Sequence, residues 1–153
     1  VNENPAMTLT ASDEAKLAQL DSRLADIIRV VARRCPFAFA VTQTARTIEQ
    51  QQQYFDEGKS RIDPKKYPKV EDLYVVAKHI TGPGMPMSRA VDLNIVGKDP
   101  YNVPTLTFLA GMIRSAAIER GVRVRWGGDF DQDGLLLEPG TFQDLPHHEL
   151  ITT

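Results

Sequence analysis

The chain has 153 residues, 42% apolar and 25% charged, which is enough for one core and excludes wholesale disorder. Eighteen Lys and Arg against 20 Asp and Glu leave a net charge of −2, which removes the electrostatic case for nucleic acid or an anionic membrane as partner. No apolar run approaches the ~18 residues that span a bilayer, and a lone Cys35 excludes an internal disulfide and a multi-cysteine zinc site.

Residues 1–9 show no apolar periodicity and are expected to be a disordered segment ahead of one domain over 10–153; they lack the basic-then-apolar order of a secretory signal. Thr10 and Asp13 have capping-box spacing, and Leu17, Leu20, Leu24, Ile27, Ile28 and Val31 follow at helical spacing. One helix is expected there, ended by Pro36. Phe37, Phe39 and Val41 alternate as a half-buried strand. A second capping box, Thr47 with Gln50, opens a helix that stops at Gly58. Residues 59–73 read as a polar, solvated excursion, Leu73–Val76 as a short strand or turn, and Gly82, Pro83, Gly84 and Pro86 as a sharp loop. Ala90–Val96 predicts a buried strand, Pro104 to Ala117 a helix closed by Gly121, and Val122, Val124 and Trp126 another strand. A loop over 127–146 leads to a last strand near Glu149–Ile151, completing a small α+β domain.

Three features depart from ordinary patterning. From Trp126 onward there is no Lys or Arg, while Asp129, Asp131, Asp133, Glu138, Asp144 and Glu149 accumulate; such a cluster needs solvent or a bound cation. Asp92 sits within an apolar strand, where burial is costly unless the carboxylate is paired or metal-bound; with Asn94 it would face a cleft, or solvent if the strand is an edge. The only histidines are His79, His147 and His148, and His-Glu-x-x-His is absent. His79, Asp92 and one of the paired histidines could supply the three ligands of a catalytic zinc from separate segments, although each has a structural alternative.

Several short motifs carry a family resemblance. Ala45-Arg46-Thr47, Glu49-Gln50-Gln51 and Gly58-Lys59-Ser60 resemble the N-terminal signature of zinc peptidases that cut peptidoglycan stem peptides. Lys78-His79, Gly82 and Ser88-Arg89-Ala90-Val91-Asp92-Leu93 resemble the split zinc motif of that group, and Trp126-Gly127-Gly128-Asp129 with Asp144-Leu145-Pro146-His147 its closing motifs. The resemblance is to the D-Ala-D-Ala carboxypeptidase and dipeptidase group, nearest its bacteriophage L-alanyl-D-glutamate endolysins. It implies a hedgehog and DD-peptidase-like fold, with an antiparallel sheet carrying the zinc site and packed against helices.

Carried over by position, it implies zinc ligands His79, Asp92 and His147, Asp144 as general base, and Arg46 as the cation on the scissile carbonyl or developing oxyanion. The segment Pro83–Met87 lengthens the motif between the first two ligands, and Ala77 stands where a Ser is more familiar. Gln50, Ser60, Trp126 and His148 are candidate substrate contacts, with helix surface or core as the plain alternatives. Asp129, Asp131 and Asp133 match the opening of a calcium loop whose closing Glu is missing, so Ca2+ or a plain acidic turn both fit. The implied function is a monomeric lytic enzyme, made in the host cytoplasm and not inserted in the membrane. It would cleave L-Ala–D-Glu in the stem peptide once the membrane is permeabilised. D-Ala-D-Ala cleavage and a non-catalytic wall-binding module are the alternatives.

Overall fold

A computed structural model describes residues 9–151; the expected disorder of the N-terminal segment falls mainly on residues 1–8, outside that range. In chain order come α1 (Ala11–Leu17), α2 (Ser22–Arg34), β1 (Phe39–Gln43), α3 (Ile48–Asp56), α4 (Val70–Val76), β2 (Ala90–Ile95), α5 (Val103–Glu119), β3 (Val124–Trp126) and β4 (His147–Leu150). A single 3-10 turn, Pro64–Lys66, lies between α3 and α4. The strands form one antiparallel sheet in the order β1-β2-β4-β3, so the α+β expectation holds.

The main core lies between one face of this sheet and the helices. It joins Leu24, Ile27, Ile28 and Val31 of α2 to Leu109 and Ile113 of α5 and to Val41, Val91 and Leu93 of the sheet. A smaller cluster, Leu73, Tyr74, Ala77 and Ile80, anchors α4 and the turn after it. Asp13 fastens α1 to the sheet: one carboxylate oxygen completes the Thr10 capping box, and the other accepts the Val41 amide at 2.9 Å. Among the described residues no helix is long and apolar enough to cross a membrane.

Three expectations need correction. The first helix is two, because the chain leaves helical geometry at residues 18–21 to bond with a distant segment. Ser88 donates its amide to the Gln19 carbonyl and accepts the Asp21 amide, both at 2.8 Å. Asp21 then caps α2, and the apolar spacing stays in phase across the break, so Leu17, Leu20 and Leu24 are all buried. Residues 70–76 form a helix rather than a strand or turn; Leu73 and Tyr74 pack onto Ile80, and a run this short carries too little periodicity to reveal it. The last strand begins two residues before the expected position, where His147 pairs with Asp92.

Candidate active site

Strand alternation decides which side chains of β2 meet the cleft. Val91 and Leu93 point into the core, so Asp92 and Asn94 project from the other face. A bulge in β1 between Val41 and Gln43 adjusts the neighbouring strand, and Thr42 donates its hydroxyl to the Asp92 carbonyl. β4 runs antiparallel on the other side of β2, with His147 directly opposite Asp92. The third contributor arrives by a different route. Arg46 donates its amide to the His79 carbonyl and accepts the Thr81 amide, stitching the segment before α3 to the turn after α4.

This topology brings together His79, Asp92 and His147, residues far apart in sequence. Their nearest ligand atoms lie within 4.8 Å of one another. His79 Nδ1 donates to the Thr44 carbonyl at 2.6 Å, leaving Nε2 facing Asp92 Oδ1 at 3.1 Å. His147 has the opposite arrangement: Nε2 donates to Glu149 Oε1 at 2.9 Å, and Nδ1 lies 3.2 Å from the same Asp92 oxygen. Each imidazole has its outer nitrogen committed to an oxygen acceptor and its inner nitrogen directed at a common point. These outer bonds are the ones that orient metal-binding histidines.

The electrostatics agree with a cation site. Burial alone would raise the Asp92 carboxyl, but hydrogen bonds from His147 and His79, with their charge, hold it far below the usual carboxylate range. Burial would likewise lower His147, yet Asp92 and Glu149 push it up to about 9. The negative field that draws a proton onto this imidazole would also draw a divalent cation. Two nitrogens and one carboxylate oxygen form a donor set suited to zinc with a further position left for water.

Asp144 and Arg46 line the same cleft, an opening of about 1130 Å³. Burial and the nearby Asp92 charge raise the Asp144 carboxyl, partly offset by His147, His79 and Arg46. Its backbone is fixed by its amide bonding to Gly127 and by its carbonyl accepting the His147 amide at 3.0 Å. Gly127 allows this approach, since a Cβ there would stand 1.8 Å from the Asp144 carbonyl oxygen. Arg46 donates to Gln51 at 2.7 Å and to Gln43, and its guanidinium lies 4.6 Å above the Tyr54 ring. Burial lowers its pKa, while Asp92, Tyr54 and Asp144 act in the opposite direction.

The four expected substrate contacts separate. Ser60 lines the cleft and its hydroxyl accepts from Gln51. Gln50 does not line it: its side chain accepts the Thr47 amide in the α3 capping box. Gln51, one residue on, is the buried glutamine that positions Arg46. Trp126 and His148 are paired across β3 and β4 and face away from His147, because neighbouring strand residues alternate sides. They line a separate cavity of about 110 Å³, with Trp126 Nε1 donating to the Leu145 carbonyl.

Glu149, Gln43, Tyr54, Phe130 and Phe142 also line the cleft, beyond the residues that the sequence motifs point to. Of these, Glu149 had a usable signal, since two residues along a strand share a face. Asp129, Asp131 and Asp133 converge within 4.8 Å in the loop after β3 and accept backbone amides from Gly134, Asp133 and Leu135 respectively.

No protein of curated function matches the chain. Among solved structures, the crystal structure of the Serratia marcescens L-Ala D-Glu endopeptidase ChiX is similar, with a TM-score of 0.67 and 23% identity over 94% of this chain and 89% of that one. That likeness establishes a shared fold. The sequence profile of the phage L-alanyl-D-glutamate peptidases matches residues 6–151, nearly the whole length, and the chain belongs to that family.

Proposed function

We propose that this peptidase is zinc-dependent, with His79, Asp92 and His147 as ligands, and that it hydrolyses the L-Ala–D-Glu amide of the peptidoglycan stem peptide during lysis. The observation that carries the reading is the pair of outward hydrogen bonds, His79 to Thr44 and His147 to Glu149, which turns the other nitrogen of each imidazole toward the same Asp92 oxygen. Held by His79, Asp92 and His147, zinc would supply Lewis acidity, polarising the amide carbonyl and lowering the pKa of a water from 15.7 toward ~7.

The chain's own groups supply the remaining functions. Asp144, its basicity raised by burial, accepts the proton of the attacking water and delivers it to the leaving amine of D-Glu. Arg46, held by two glutamines and a tyrosine ring, offers a fixed positive charge to the developing oxyanion. A non-catalytic wall binder would need neither group. On this reading the chain works as a monomer, without membrane insertion, synthesised in the host cytoplasm and reaching the wall after the membrane is permeabilised. Calcium bound by Asp129, Asp131 and Asp133 would order the loop that carries Asp144.

Digestion of purified peptidoglycan, with identification of the new termini, tests the bond. A free amine on D-Glu supports the proposal, whereas released D-Ala would place the activity with the carboxypeptidases.

A further inference from the structure

Four cations line the cleft, and three have polar partners. Arg46 is held by glutamines, Arg125 pairs with Glu149 at 2.9 Å, and Lys59 pairs with Glu57 at 2.8 Å. Arg61 differs: its guanidinium lies 4.4 Å above the Phe142 ring and, among the described residues, has no hydrogen-bond or ion-pair partner. The contact holds the guanidinium against the ring and, among the described residues, leaves its N–H groups without a polar partner, an arrangement suited to a carboxylate.

The platform also has a defined place relative to the chemistry. Phe142 stacks on Phe130 at 5.6 Å with the rings 13° from parallel, and Phe130 lies 5.8 Å from the His147 ring. Two aromatic rings therefore separate Arg61 from the proposed zinc ligand. Phe142 remains 53% exposed although it is stacked on one neighbour and capped by another, so it is an accessible wall and not core. A cation on this wall of the cleft is placed to meet a substrate group that extends along it.

We infer that Arg61, stacked on Phe142, binds a carboxylate of the stem peptide on the D-Glu side of the cleaved bond and so selects an acidic substrate. The inference rests on the proposed L-Ala–D-Glu cleavage. Two groups of stem peptides have this chemistry: the α-carboxylate of D-Glu, left free when the residue is linked onward through its side chain, and the side-chain carboxylate of a following diaminopimelate.

Three synthetic stem peptides separate them: one with both carboxylates, one α-amidated at D-Glu, and one with Lys in place of diaminopimelate. With zinc-loaded wild-type protein, Arg61→Gln and Arg61→Lys, initial rates give kcat and KM for each. Arg61→Gln should lower kcat/KM on the fully acidic peptide about tenfold or more, chiefly through KM, as expected for losing a charge-assisted contact made before and during the reaction. The loss should vanish on whichever modified peptide lacks the recognised carboxylate, and Arg61→Lys should restore part of it. No loss, or an equal loss on all three peptides, overturns the inference while leaving the cleavage assignment intact. Failure of the wild-type protein to produce a D-Glu amino terminus from any of them overturns both.

Discussion

Glu149 accepts a hydrogen bond from His147 Nε2 at 2.9 Å, two residues back along the same strand and on the same face. The bond leaves His147 Nδ1 as the nitrogen turned toward Asp92, and Arg125 holds the other Glu149 oxygen at 2.9 Å. Metal affinity should therefore depend on a residue that never touches the metal. Glu149→Gln is expected to weaken zinc binding about 10–100-fold, the usual effect of losing an outer-shell partner. Competition with a chromogenic chelator measures it, and an unchanged dissociation constant would refute the orienting role.

Asp144 tests the division between binding and chemistry. Asp144→Asn keeps the shape of the side chain and removes its capacity to take a proton, so hydrolysis should fall roughly 10²–10⁴-fold. Zinc content and thermal midpoint should remain near those of the wild type. Unchanged turnover would mean that another group is the base.

Proton linkage gives an independent check. In the metal-free protein His147 is held up to about 9, above its ordinary value of 6.5, by Asp92 and Glu149. Because the folded value is raised, its contribution to stability is fully present below pH 6.5 and is lost as the pH rises through about 9. A metal must displace the same proton from Nδ1. Zinc titration at neutral pH in weak buffer should release close to one proton per site from this ring, and apparent affinity should climb as the pH approaches 9. Affinity independent of pH over that range would contradict the coupling.

The acidic loop predicts a response to a second cation. Millimolar calcium should raise the thermal midpoint of the wild-type protein by mass action on the folded state, and Asp131→Asn should diminish the rise. Equal midpoints in calcium and in chelator would dismiss calcium from Asp129, Asp131 and Asp133.

Much of the fold could be read from local pattern. The Thr47–Gln50 capping box opens α3 as expected, and alternation in Ala90–Val96 identifies the strand and sets Asp92 and Asn94 on one face; that this face meets a cleft and not solvent follows only from the placing of β2 between β1 and β4. The break between α1 and α2 could not be read this way, because the interruption is imposed by the backbone of Ser88, far away in sequence, while the leucine spacing continues unbroken. The same limit separates Gln50 from Gln51. Both are polar residues near a helix start, but one is consumed by the cap and the other, turned about 100° around the axis, reaches Arg46. For Trp126 and His148 the sequence leaves substrate contact and core both open, and the choice is made by pairing: β4 sets His147 against Asp92 and His148 against Trp126, on the opposite face of the sheet.

Metal analysis of the purified protein, coupled to peptidoglycan digestion before and after chelation and with Asp92→Ala as control, decides whether His79, Asp92 and His147 hold a catalytic zinc ion. We expect about one zinc ion per chain, loss of D-Glu amino-terminal products on chelation and their return with added zinc, while Asp92→Ala neither retains the ion nor cleaves. Full activity in rigorously metal-free protein, or in a folded Asp92→Ala variant, would exclude a catalytic metal at this site.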